Sequence, residues 1–152
     1  MIATIDAIVD AHTADGYPIS VFWGGVLDKK TLFDQITESS PTLRYLIPAP
    51  NGGGVTDDFV LASGGKVKFL KMWMVAITKD SRTAVQAGHD WLERIGFTTE
   101  NGVVGYPASA PWTYQTLLIN AWRTVADVNL FSEQYGDVWL WEQPVEIQVS
   151  IP

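Results

Sequence analysis

Two histidines, one acidic doublet and one glycine run are the places in this 152-residue chain where chemistry could be sought. His12 and His89 could ligate a metal only if the fold brought them together, and neither belongs to a carboxylate–histidine helix motif. His12 falls at the end of an expected first helix, where a cation suits the helix dipole. His89 lies beside Asp90, but consecutive residues on a helix do not face each other. Asp57 and Asp58 are paired carboxylates that flank a loop just before a strand, and they read as solvated turn residues. Gly52, Gly53 and Gly54 invite a phosphate-loop reading. No Gly-Lys-Ser/Thr follows them and no strong helix starts there, so a plain loop is expected. The chain has no cysteine, which removes thiol nucleophiles, disulfides and thiolate metal sites. A Gly-x-Ser-x-Gly elbow is also absent. No combination of acid, base and nucleophile emerges, so neither an enzyme nor a cofactor or metal site is expected.

The remaining candidates belong to interfaces. Seven tryptophans accompany a charged fraction of only 18%, and such a surface suits burial between subunits as well as a large aromatic core. Trp23, Trp73 and Trp91 fall on expected core stripes. Trp139 and Trp141 share a strand face just before Pro144 and are the better interface candidates, since tryptophan is enriched at hot spots. The net charge is −7, which disfavours binding to nucleic-acid phosphates. The charge is unevenly spread. Residues 61–100 hold six bases against four acids, while residues 1–60 hold three against eight and residues 101–152 one against five. Lys66, Lys68 and Lys71 give this middle block a basic hairpin, a second candidate for subunit or partner contact.

The elements that would carry these residues can be read from periodicity. Ile2, Ile5, Ile8 and Val9 recur at helical spacing and predict a helix to about His12. Ile19 to Trp23 predicts a short strand, Asp28 caps a short helix bearing Leu32, Phe33 and Ile36, and Leu43 to Ile47 predicts a second strand. Asp58–Ala62 and Val67–Ile77 predict a β-hairpin. Its second arm turns apolar on both faces after Lys68, so its far half should be covered on both sides. Asp80 caps a helix from Ser81 to about Ile95, with Ala84, Ala87, Gly88, Trp91, Leu92 and Ile95 on the buried stripe and Gly96 ending it. Gly88 inside a helix calls for compensation by close packing against the sheet or a neighbouring subunit. Leu117, Leu118, Ala121, Trp122, Val125 and Ala126 suggest a helix over 111–126, with a strand as the alternative. Val128–Glu133 and Val138–Ile151 predict a closing hairpin around Gln134–Asp137, with a bulge or an edge position at Pro144. The sum is a single α+β domain over residues 1–152, with an antiparallel or mixed sheet and helices mainly on one face. No signal peptide and no membrane span are expected.

In element order and hydrophobic pattern the chain resembles the tail terminator (tail completion) proteins of tailed bacteriophages. Three parts carry the resemblance: the first helix beginning Met1-Ile2-Ala3-Thr4-Ile5, the strand–turn–helix from Phe69 to Ile95, and a further helix with a closing hairpin from Leu117 to Ile151. The segment from Leu27 to Gly54 has no clear counterpart, and no family motif transfers residue by residue. The resemblance implies a virion protein made in the host cytoplasm. It would form a homo-oligomeric ring, commonly a hexamer, that caps the tail tube and contacts the tube protein and the head–tail connector. DNA would pass through its lumen without specific binding, and no membrane would be involved. Another neck, connector or baseplate component, or a small-molecule-binding α+β module, would share much of this pattern.

Overall fold

A computed structural model describes residues 2–14, 16–24, 28–48, 55–60, 66–94, 112–114, 117–124 and 128–151. Its elements in chain order are α1 (Ile2–Ala14), β1 (Ser20–Val21), α2 (Lys29–Gln35), β2 (Leu43–Pro48), β3 (Val55–Val60), β4 (Lys66–Thr78), α3 (Ser81–Arg94), β5 (Trp112–Tyr114), β6 (Leu117–Thr124), β7 (Glu133–Tyr135) and β8 (Val138–Ile151). All eight strands join one mixed sheet in the order β1-β2-β4-β8-β6-β5. β3 pairs with the first half of β4, and β7 with the first residues of β8. Only the β1–β2 pair is parallel. The α+β class expected from the sequence is the class observed.

The spine is the antiparallel pair of the two long strands. β4 and β8 run together from Lys66 opposite Ile151 to Thr78 opposite Trp139. Residues directly opposite each other share a face, so one face of the spine carries Leu70, Met72, Met74 and Ala76 with Trp141, Val145 and Ile147. All of these are buried under Ile5 and Ile8 of α1 and Ala84, Ala87, Trp91 and Leu92 of α3. The other face carries Val75, Ile77, Val138 and Leu140, which pack on Leu32 of α2 and on Ile36. The far half of β4 is thus covered on both sides, as its two apolar faces require. The two longer helices lie on one face and the short α2 on the other.

Both expected caps form. The Asp28 carboxylate accepts from the backbone N–H of Lys30 at 3.0 Å and from the Thr31 hydroxyl at 2.9 Å. The Asp80 carboxylate accepts from the Thr83 backbone N–H at 2.9 Å and from its hydroxyl at 2.8 Å. The closing hairpin forms with its first arm shifted, β7 over Glu133–Tyr135 in place of the expected Val128–Glu133, and it turns at Gly136-Asp137, with Tyr135 directly opposite Val138. Gly136 has φ +64°, the left-handed value that a two-residue hairpin turn demands of its first central residue.

The structure corrects three expectations. Residues 112–114 and 117–124 are strands where a helix over 111–126 was expected. The cause is a bulge between Ile119 and Ala121. It shifts the alternation by one residue, so Leu118 and Ala121, three apart, take positions opposite the alternate residues Ser150 and Gln148. A bulged strand therefore reproduces helical spacing. Trp23 is 56% exposed. β1 ends at Val21 with one further bond, from the Phe22 N–H to the Leu46 carbonyl, so Trp23 lies beyond the paired stripe that Ile19 begins. Finally, Pro144 lies in a mid-sheet strand with unbroken register to β4. β6 ends opposite Val145 and β7 begins opposite Leu140. Pro144 thus falls where β8 has a described strand neighbour on one side only, so a missing N–H is tolerated there. Ile95, Gly96 and the glycine run at 52–54 lie outside the described residues.

Gly88 packs its helix directly onto the sheet. A β-carbon built there would fall 2.6 Å from Cε2 of the Trp141 indole and closer still to Cδ2 and Cε3. The contact explains a glycine in mid-helix. Alanine would gain about 1 kcal/mol in helix propensity but would drive a methyl group into a buried ring. Overpacking of that kind costs about 1–3 kcal/mol and often more. Gly88→Ala is expected to be destabilising by at least about 1 kcal/mol in urea unfolding. In a Trp141→Leu background, where the ring is gone, the same substitution should turn neutral or stabilising. A double-mutant cycle with no coupling would show that the contact does not constrain the helix.

Candidate functional site

Where β8 lacks a strand neighbour, over residues 141–144, the chain supplies Asn129 instead. The Asn129 backbone N–H donates to Gln143 Oε1 at 2.7 Å, and its side-chain amide donates to the Glu142 carbonyl at 3.1 Å. Its carbonyl accepts from the Trp141 indole N–H at 2.8 Å and from His89 Nε2 at 2.9 Å. Its side-chain oxygen accepts from the Phe131 N–H at 3.0 Å. Gln143 is buried, so its carbonyl oxygen would be costly to leave unmatched. The His89 ring meets the Trp141 ring edge to face, centroids 6.0 Å apart and planes at 80°. One residue of the 128–132 segment therefore ties together α3, β8 and itself. Two further anchors flank it: Val128 packs on the larger core cluster, and the Ser132 hydroxyl donates to the Ser81 carbonyl at 3.0 Å.

Between these anchors stand Leu130 and Phe131, 68% and 76% exposed. They border a cleft of about 480 Å³ whose other walls include Trp73, Leu140, Pro144, Glu133 and Glu142. Partial burial against this wall, and then the nearby charge of Glu133, hold the Glu142 carboxyl above the usual glutamate range. Its residue nevertheless keeps an exposed flank. The site thus joins a fixed apolar pair, aromatic and aliphatic walls and two carboxylates. It offers an interface or a binding cleft.

The residues singled out from the sequence are dispersed. Trp141 is fully buried beneath Gly88 and is a core residue, which corrects its assignment to an interface. Trp139 is half-buried and packs against the same core cluster. Lys66 and Lys68 occupy the first part of β4, with strand neighbours on both sides. Lys66 stands opposite Val60 and Ile151, and Lys68 opposite Asp57 and Val149. Lys71 is half-buried and stands opposite Glu146, as Arg123 does from β6. Acidic residues therefore neighbour Lys68 and Lys71 in register.

His12 is not the helix-end cation expected. It is buried, its Nδ1 donates to the Ile8 carbonyl at 2.9 Å, and its Nε2 accepts from the Trp91 indole N–H at 3.1 Å. An Nε2 that accepts is unprotonated, so the folded ring is neutral. The two histidines serve separate structural bonds. No group of three or more His, Asp or Glu able to hold a metal occurs among the described residues, and none of their helices is long and apolar enough to cross a membrane.

Two measurements test this geometry. Asn129→Ala removes the bonds to Glu142 and Phe131 and is expected to be destabilising by about 1–2 kcal/mol. Hydrogen exchange at the Phe131 amide should quicken with it. For Glu142, a folded carboxyl that holds its proton more tightly than the unfolded one contributes stability below the usual glutamate range. That stability is lost as pH rises through the range toward the raised value. Glu142→Gln should accordingly raise Tm at pH 7 by an amount worth less than about 1 kcal/mol, since water screens the group. The gain should vanish as pH falls below about 4. Compared with known proteins, the chain matches no family model and no curated sequence.

Proposed function

We propose that the chain is a self-assembling virion structural subunit of the tail-terminator kind. In this reading it forms a ring, of six by the resemblance, that ends a phage tail tube and joins it to the head connector. The observation that carries the assembly reading is the Leu130–Phe131 pair. Two large apolar side chains stand in water on a segment pinned on both sides by partly buried hydrogen bonds. An apolar pair on a backbone that is already held loses little backbone freedom when covered, which is what a protein interface exploits. The phage reading rests on element order. The first helix and the strand–turn–helix of β4 and α3 agree with the resemblance, as does the closing β7–β8 hairpin. The expected helix at Leu117 does not, because strands stand there. The net charge of −7 suits a lumen through which DNA passes without adhering.

A second reading, a small-molecule-binding module, is favoured by the Trp73-walled cleft. Mass in solution and on assembled particles separates the two. The expected result is a ring, either free or formed on tail tubes. Leu130→Ser with Phe131→Ser should weaken assembly at least tenfold while leaving thermal unfolding nearly unchanged. A protein that stays monomeric at high concentration and does not bind tubes would overturn the assembly reading.

A further inference from the structure

The chemistry of the cleft beside Leu130 and Phe131 specifies what it can receive. Its walls are aromatic or apolar at Trp73, Phe131, Leu140 and Pro144, and its charges are two carboxylates, Glu133 and Glu142. Glu133 stands opposite Leu140 across the β7–β8 pair, and Glu142 follows two residues later on the same strand face. An uncharged apolar occupant would desolvate both carboxylates without compensation. An acidic occupant would add repulsion. A two-fold contact with a second copy would set Glu133 and Glu142 against their own counterparts, where the Glu142 carboxyl already feels Glu133. A cation meets all of these terms together: ionic contact with two carboxylates and cation–π contact with Trp73 or Phe131. This chain already uses the second kind of contact, with Lys29 over Tyr135 at 4.7 Å and Lys79 over Phe33 at 4.1 Å.

We propose that the cleft receives a basic segment of a partner protein, a lysine or arginine flanked by apolar residues, seated between the aromatic walls and the Glu133–Glu142 pair. The proposal rests on the assembly reading in placing a protein partner at this surface, and it adds the partner's charge. The apolar flanks cover Leu130 and Phe131, and the cationic head enters the cleft. Because the occupant is a different protein, the cleft fits a tube- or connector-facing surface rather than a contact between copies of this chain.

The probe is the peptide acetyl-Leu-Lys-Leu-amide, titrated at low salt against the full chain while the indole signal of Trp73 and the amides of residues 129–133 are followed by NMR. The same peptide acetylated on the lysine Nζ is the control. Shifts confined to these residues are expected, with affinity falling at least tenfold on lysine acetylation and at least tenfold in the variant carrying Glu133→Gln and Glu142→Gln. That variant preserves shape, and its unchanged NMR spectrum outside the cleft would verify its fold. Equal binding of the two peptides, no binding, or insensitivity to the double variant would overturn the proposal. So would shifts at these residues on concentrating the protein alone, because they would give the cleft to a second copy. A ring that forms through Leu130 and Phe131 yet ignores the glutamate variant would leave the assembly reading standing and remove only this inference.

Discussion

The contact between Gly88 and the Trp141 indole sets the geometry on which the rest of the molecule depends. The ring lies where any helix residue larger than glycine would have to stand off from the sheet. The closeness of that approach lets Ala84, Ala87, Trp91 and Leu92 reach the β4–β8 face and bury together. The same indole directs its N–H to Asn129, whose carbonyl also receives His89 from the residue after Gly88. Helix, strand and loop therefore meet at one aromatic ring. A shift in the height of the helix would break the His89 bond and loosen the loop that carries Leu130 and Phe131.

A second constraint follows from backbone arithmetic. A strand inside a sheet must satisfy hydrogen-bonding groups on both sides, and β8 loses its neighbour between the end of β6 and the start of β7. The chain closes this interval with a side chain and a turn. Asn129 supplies a donor to the Glu142 carbonyl and another to Gln143, while Pro144 removes an N–H that would otherwise need a partner. An unmatched buried polar group costs about 1–3 kcal/mol, so this interval rigidifies only because its members are matched. Asn129 also holds the backbone of Phe131, beside the two exposed apolar side chains.

Much of this was legible in the sequence where one element obeys one rule. The Asp28 and Asp80 caps, the buried stripe of α3 and the two-faced burial of β4 follow from spacing alone. Gly88 announced a close approach without saying to which residue. Legibility failed where two rules overlap. The bulge at Ile119–Ala121 gave a strand the spacing of a helix. His12 was read from its position in a helix, whereas its state is set by Trp91, far away in sequence. Trp141 was read as surface because tryptophan favours interfaces, but its depth depends on a glycine on another element. Asn129 carried no signal at all. It is an ordinary loop residue until the register of three strands leaves a gap for it. The general cause is that periodicity reports faces, while sites arise from pairings between distant elements.

The same distinction bears on how charge should be read. Counted along the chain, Lys66, Lys68 and Lys71 form a basic block in an acidic protein. In the sheet, Asp57 stands opposite Lys68 and Glu146 opposite Lys71, and neighbouring opposite charges in water largely offset one another. Glu133 and Glu142 are nine residues apart and unremarkable in sequence. Folding places them in one cleft, where partial desolvation, and then the charge of Glu133, hold the Glu142 carboxyl above its ordinary range. Balanced surface pairs supply little force for association, whereas a partly desolvated like-charge pair is relieved when a cation arrives. Under the proposed assembly, a charged contact surface is sought where the fold leaves like charges together, and among the described residues the cleft beside Leu130 and Phe131 is such a place.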